Sequence, residues 1–279
     1  MTEEQQAFLG MLTGTDHAKI KVECARLTAK AKNETGIGLN LSHLDLSGKN
    51  LSGLDLRRAI LRHTTLHGAN LDNTNLSKAS FFSVGMDKVQ ARGASFRNTY
   101  LHAAAMQACN FEGADFGDLK DAAGSLFHGC NFNKARISGL ISGSTFFQCE
   151  LEEGDLSGIY AGSVSFKSCN MRKINLARAY LYQASIAGET PSSTDVGEAT
   201  LDDAVLIHAR LCADFRKASF VGANCDYANL NQSDFSGADL KGIRLRRASM
   251  LKTKFTGAEF PERLMGPFFS EGSENFPFD

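Results

Sequence analysis

The chain has no tryptophan and only 4 prolines in 279 residues, and its charge has no sign: 30 basic side chains stand against 31 acidic ones. Each shortage excludes something. A basic track for nucleic acid, or an acidic rod that imitates it, needs a strong imbalance. The balance stays even when localised. Residues 39–260 carry 24 basic and 22 acidic side chains, residues 1–38 carry 5 of each, and residues 261–279 carry 1 and 4. No apolar run approaches the ~20 residues of a membrane span. The opening MTEEQQAF lacks the cationic start and apolar core of a secretory signal peptide, so no Sec export is expected. Seven cysteines, an odd number scattered along the chain, suit a reducing compartment better than a disulfide framework.

Catalytic signatures are missing as well. There is no glycine-rich phosphate loop, no HExxH, no GxSxG and no CxxC pair. The histidines, His17, His43, His63, His67, His102, His128 and His208, do not share a nucleophile arrangement with a cysteine or serine. The sequence therefore reads as non-catalytic, with no cofactor and no metal site.

What the sequence does have is a period of five. Leu, Phe or Met recurs at Leu41, Leu46, Leu51, Leu56, Leu61, Leu66, Leu71, Leu76, Phe81 and Met86, and again from Phe215 to Phe260. A small residue recurs two positions earlier, as at Ala59, Ala69, Ala79, Ala94, Ala104, Ala218 and Ala238. Five matches neither a helix at 3.6 residues nor a flat strand at 2. It matches a chain that turns a corner every five residues, with one large and one small side chain inward and three outward.

The segments GANLDNTNLSKASF, GADF, KASFVGANCDYANLNQSDFSGADL and GAEF carry this pattern most plainly. They resemble the pentapeptide-repeat family. The resemblance covers about 220 residues and implies an all-β solenoid: a right-handed quadrilateral β-helix with four pentads per coil. About eleven coils are expected at the ~4.8 Å strand spacing. Counting requires three slips: one residue gained between Phe116 and Phe127, one lost between Ile137 and Phe146, and one lost between Leu211 and Phe215. With them, Cys109, Cys130, Cys149 and Cys169 share one small inward row, and thiols there read as substitutes for alanine. The stacked pair His43 and His63 points outward and reads as surface.

Three regions are expected: a helical N-terminal cap over 1–38, the repeat over 39–260, and a tail over 261–279. Within the cap, Thr15 or Asp16 starts a helix with apolar face Ile20, Cys24, Leu27 and Ala31, and Gly36 stops it. A short segment around Phe8 precedes it. Open coil ends expose backbone, so covering the first coil is its expected role. The tail's Phe268, Phe269, Phe276 and Phe278 are candidates for an end cap, a homodimer contact or a docking motif. A loop over 187–197, where Pro191 and Val196 break the inward pattern, offers Pro191, Ser192, Ser193 and Asp195 as a further candidate site.

Sorting outward residues by side places Ile60, Phe82, Tyr100, Tyr160, Tyr180 and Tyr182 together, among small neighbours such as Ala103, Ala122 and Ala123. Aromatic side chains in a strip of low charge have the composition of an interface core, so this face is the candidate protein-binding site, or a homodimer contact. The adjacent side mixes Arg57, Arg58, Lys78, Arg97, Arg136, Arg178, Arg216 and Lys217 with Asp55, Asp115 and Asp155, and reads as a solvated face.

The expected function is a protein-binding scaffold. The family resemblance implies two precedents: effectors that bacteria deliver into host cells as adaptors, and gyrase- or topoisomerase-protecting proteins of the quinolone-resistance kind. The even charge counts against the second and against nucleic acid as partner. A cytosolic bacterial regulator is the third reading. Localisation follows the role: the bacterial cytoplasm, or a host cell for an effector.

Overall fold

The computed structural model describes residues 1–264 and 272–277, and the chain divides into two compact units, Met1–Gly139 and Leu140–Asp279. In both, the period of five is a sequence of corners. At a typical corner the large residue's carbonyl accepts the N–H three positions on, as Leu46 accepts from Lys49 at 3.1 Å and Leu56 from Ala59 at 3.1 Å. The residue in between takes a positive φ: 63° at Gly48, 62° at Arg58 and 64° at Lys78. That is the third position of a turn of the type II kind, where a left-handed conformation is required.

The residue before the large one is often Asn or Asp because its side chain braces the corner. Oδ1 of Asn50 accepts the N–H of Ser52 at 3.1 Å, and Oδ1 of Asp45 accepts that of Ser47 at 2.9 Å. The remaining backbone groups pair with the next coil, as Leu41 N–H donates to the Ile60 carbonyl at 2.8 Å and Ile60 N–H to the Leu39 carbonyl at 2.9 Å.

The first unit opens with α1 (Glu3–Met11) and α2 (His17–Thr35). Asp16 caps α2 by accepting from the amides of Ala18 and Lys19, and Gly36 ends it at φ 74°. Ile20, Cys24, Leu27 and Ala31 are buried beneath it, and Phe8 of α1 is fully buried. The helices also supply hydrogen-bond donors. Carbonyls of the first coil have no preceding coil to bond with. Gln5 Nε2 donates to the Ser42 carbonyl at 3.0 Å and Thr28 Oγ1 to the Asp55 carbonyl at 2.7 Å, while His17 Nε2 lies 2.7 Å from the Ser52 carbonyl.

Five coil levels follow, marked on one side by the in-register bridges of Asn40, Ile60, Ser80, Tyr100 and Asp121. Short parallel strands thicken two sides: β1 (Gly85–Asp87), β2 (Ala105–Gln107) and β4 (Leu126–His128) on one, β3 (Asp115–Leu119) and β5 (Arg136–Gly139) on the other. The expected gain of one residue is a bulge after Phe116, where the pairing of β3 with β5 shifts register. Its accommodation depends on Gly139, where a Cβ would stand 2.3 Å from the Leu119 carbonyl oxygen. The interior is a stack of buried rings, with Phe96 and Phe116 parallel at 4.5 Å and Phe111 and Phe132 at 5.0 Å.

The second unit has six levels, marked by Leu140, Tyr160, Tyr180, Val205, Asn224 and Arg244. The sequence counted about eleven coils in one series; the structure shows them as five and six within the two units. Parallel strands β6 (Thr145–Phe147), β7 (Ser165–Lys167), β8 (Ser185–Ala187) and β9 (Arg210–Cys212) line one side. The interruption is shorter than expected. Val196 is fully buried with Thr194 in the small position, so both belong to the wall, and Asp195 pairs with Asn170 and Asp214. Only residues 188–193 leave the pattern, and they hold a single 3-10 turn over Pro191–Ser193. The loss of one residue between Leu211 and Phe215 occurs as counted, with Ala213 inward between them.

In the tail, one of the four candidate phenylalanines takes the end-cap role among those expected. Beyond the repeat, Glu274 pairs with Lys254 and closes two ladder bonds, to Thr253 and Phe255. Phe276 is 7% exposed and packs against Phe255 at 5.4 Å and Phe260 at 5.6 Å. It closes the end of the core and is withdrawn as a docking residue, because an aromatic ring gains more from covering the last coil than from water. Phe268, Phe269 and Phe278 lie outside the described residues.

Candidate protein-binding faces

In the first unit, bridges align the residues that precede the large inward ones, so a side chain at one level stands directly over its counterpart 20 or 21 positions earlier. Tyr100 is 51% exposed and Phe82 47%, while Ile60 is half-buried. The Phe82 ring stacks on His102 at 5.9 Å, and His102 Nδ1 lies 3.0 Å from Asp121 Oδ2. Ile60 and Tyr100 line an open depression of about 450 Å³ with Ile37, Arg58, Arg62, Lys78 and Ser80. Arg58 donates to the Gly36 carbonyl at 3.2 Å. Among the described residues, no carboxylate pairs with Arg58, Arg62 or Lys78. Ala122, expected outward on this side, is instead fully buried, because the bulge shifts it into the inward position.

The neighbouring cations behave differently. Arg57 meets Asp55 at 2.7 Å, Arg97 meets Asp115 at 3.1 Å and Asp118 at 2.6 Å, and Arg136 reaches Asp115 at 4.0 Å. These exposed pairs cancel charge locally and add little stability. The Arg57 guanidinium holds the Asp55 carboxyl below its ordinary range by hydrogen bonding.

In the second unit the tyrosines form a ladder. Tyr160 and Tyr180 stack at 4.5 Å with their planes 2° apart, and Tyr182 lies 6.3 Å from Tyr180. The ladder then runs through residues that the sequence reading did not select. Tyr182 meets His208 edge-on at 5.8 Å, His208 stacks on Tyr227 at 4.9 Å, and Arg247 covers the Tyr227 ring at 5.8 Å. Their signal was a spacing of 19 and 20 residues between His208, Tyr227 and Arg247, all three at positive-φ corners. Stacked this way, the rings present their edges and hydroxyls outward. Desolvation by the neighbouring rings raises the Tyr180 phenol above its ordinary pKa, and the charge of Tyr160 adds to the effect.

The remaining candidates are placed as follows. Ser192 is exposed and Ser193 half-buried in the 188–193 segment, which closes on itself through Ser193 Oγ donating to the Thr190 carbonyl at 2.7 Å. Asp195 accepts from the Gly197 amide at 2.9 Å as a corner brace. His43 and His63 stack at 5.3 Å, and no group of three or more metal-binding side chains occurs among the described residues. Cys109 and Cys130 in the first unit, and Cys149 and Cys169 in the second, are all buried in the small inward position. They do more than replace alanine: Cys109 Sγ reaches the Met86 carbonyl at 3.5 Å and Cys169 Sγ that of Phe146 at 3.3 Å. Thr64 and Thr74 make the same bond, each at 2.8 Å. Burial pushes the Cys24 thiol up to about 12.

These features define a four-sided solenoid of parallel pentads, filled with side chains and presenting aromatic and cationic rows on its outer walls. The chain belongs to the pentapeptide-repeat family: the family model described as pentapeptide repeats matches in 8 copies over residues 40–77, 86–118, 192–237, 213–251 and 223–260, about half of the chain. The fold is the right-handed quadrilateral β-helix that the resemblance implied. Among solved structures the chain is similar to HetL, a pentapeptide-repeat protein involved in heterocyst differentiation regulation in the cyanobacterium Nostoc sp. strain PCC 7120. That likeness has 21% identity, covers 88% of this chain and 92% of HetL, and has a TM-score of 0.32. It is also similar to full-length QnrB1, a plasmid-mediated fluoroquinolone resistance protein, with 15% identity, coverage of 84% and 92%, and a TM-score of 0.21. A pentapeptide-repeat protein from the cyanobacterium Cyanothece 51142, Rfr23, matches at 25% identity over 40% of this chain and 64% of its own, with a TM-score of 0.14. No curated protein matches the chain in sequence. No helix among the described residues is long and apolar enough to cross a membrane.

Proposed function

We propose that this pentapeptide-repeat chain is a non-catalytic scaffold that binds a partner protein through its outer walls. One observation carries the reading: the ladder of Tyr160, Tyr180, Tyr182, His208 and Tyr227, held in stacked register on a rigid backbone. Preorganised aromatic rows lose little conformational entropy on contact, which is what an interface core needs. Ring edges and hydroxyls suit a polypeptide surface, whereas nucleobases stack on exposed ring faces.

Within this reading, an adaptor delivered by a bacterium into a host cell comes first and a regulator in the bacterial cytoplasm second. The first draws on the way the repeat block opens after a non-repeat segment. Topoisomerase protection by imitation of DNA stands behind both, because residues 39–260 carry 24 basic against 22 acidic side chains. Replacing Tyr160 and Tyr180 together by Asp should abolish partner capture or self-association in cross-linking and sedimentation measurements, with the unfolding transition unchanged. Association that survives the double substitution would refute the face.

A further inference from the structure

The first unit's depression has a chemistry of its own. Arg58 and Lys78 occupy equivalent left-handed corners one coil apart, with φ 62° and 64°, and Arg62 lies on the same rim. All three are exposed, and none has a carboxylate partner among the described residues, although Arg57, Arg92 and Arg97 nearby each have one. Converging like charges repel one another, and a ligand bearing carboxylates relieves that repulsion. The apolar part of the lining is equally specific. Ile37 is 42% and Tyr100 51% exposed, and Ile60 lies with them. Exposed apolar groups gathered in a concavity and rimmed by charge mark a binding groove.

We propose that this depression docks a short acidic peptide segment of a partner protein, with an apolar side chain of that segment seated against Ile37, Ile60 and Tyr100. The proposal rests on the protein-binding reading and names the partner's chemistry. Carboxylates flanking the apolar anchor meet Arg58, Arg62 and Lys78. Arginine clusters recognise acidic motifs in this way, and corners fixed by backbone hydrogen bonds set where the three side chains leave the wall. A polyphosphate backbone fits less well. A nucleic acid continues its charge beyond the depression along the adjoining row, where Asp55, Asp115 and Asp118 stand, whereas a short peptide ends within it, and Ile37 and Ile60 offer no aromatic face to a base.

The test is selection of random peptides displayed on phage against the full-length protein, followed by fluorescence anisotropy with the enriched peptides synthesised and labelled. Enriched sequences should combine at least two Asp or Glu with an adjacent aliphatic or aromatic residue. Binding should weaken at least about tenfold in the variant carrying Arg62→Glu and Lys78→Glu, the scale expected for charge pairs in a partly desolvated groove. Peptides with Lys in place of Glu should bind that variant better than the original protein does. Tyr100→Ser should weaken binding without altering the salt dependence. The proposal is overturned by an absence of enrichment, by neutral or basic winners, or by unchanged affinity in the double variant. It is also overturned if a twenty-nucleotide oligothymidylate binds as tightly and is lost in the same variant, which would assign the groove to nucleic acid. Failure here, with partner capture by the tyrosine ladder intact, removes the acidic class and leaves the scaffold reading in place.

Discussion

At the scale of single residues, the fold depends on one unusual backbone demand, repeated at nearly every corner. Where Gly48, Gly53 or Gly68 meets it, the left-handed φ is free of strain; where Ala103 and Ala108 meet it at φ 52°, a Cβ crowds the backbone. Ala103→Gly should therefore raise the denaturant midpoint by the equivalent of about 0.5–1 kcal/mol. Ala104→Gly, one position on and fully inward, should lower it by about the same amount. Equal effects from the two substitutions would show that corner strain does not limit stability. The same scale explains why Asn and Asp recur before the large residue. Their side chains complete the corner, a role hidden in the sequence because an outward polar residue needs no reason to be there.

At the scale of elements, the cap was legible and its hydrogen bonding was not. Asp16, the stripe Ile20, Cys24, Leu27 and Ala31, and Gly36 are sequence signals of a helix, and the structure has that helix. Nothing in a sequence tells that Gln5 and Thr28 donate to orphan carbonyls of the first coil, because those contacts depend on how α1 and α2 lie across it. Phe8→Ala should leave a cavity costing about 3–5 kcal/mol locally. Hydrogen–deuterium exchange should then rise over residues 39–58 and remain unchanged over the second unit, as expected when repeat stability is a sum of local terms. Uniform exchange across the chain would mean that the cap stabilises far more than the coil it touches. The wall itself was readable wherever Leu or Phe kept the period. The tail was readable only as a set of alternatives, since Phe276 breaks the period and is still recruited to the core. Tyr227 was missed although the loss counted near Cys212 already places it over His208.

At the scale of the whole molecule, neutral charge overall conceals a wall braced by carboxylates, and this sets its response to acid. Hydrogen bonds to Arg57 and to Ser47 hold Asp55 and Asp45 below their ordinary pKa. Their folded pKa values therefore lie below the unfolded ones. The unfolded chain takes up protons first, and stability declines as pH falls through about 4 and onward to the folded values. Thermal unfolding should be nearly flat from neutral pH to about 5 and fall below it. Replacing Asp45 and Asp55 by Asn, which keeps the Oδ1 acceptor, should flatten the acid limb; an unaltered limb would place the sensitivity elsewhere. The segment 188–193 has a different consequence at this scale. Bridges spanning it join residues 25 apart, from Asn170 to Asp195 and from Tyr180 to Val205, where coils without an insertion advance by 20. The excursion is one full pentad, so it acts like an in-frame insertion in a coding sequence: every residue downstream keeps its inward or outward sense. A graft of five or ten residues at this point inherits that grammar, while a graft of six has to be absorbed by a local bulge like the one after Phe116.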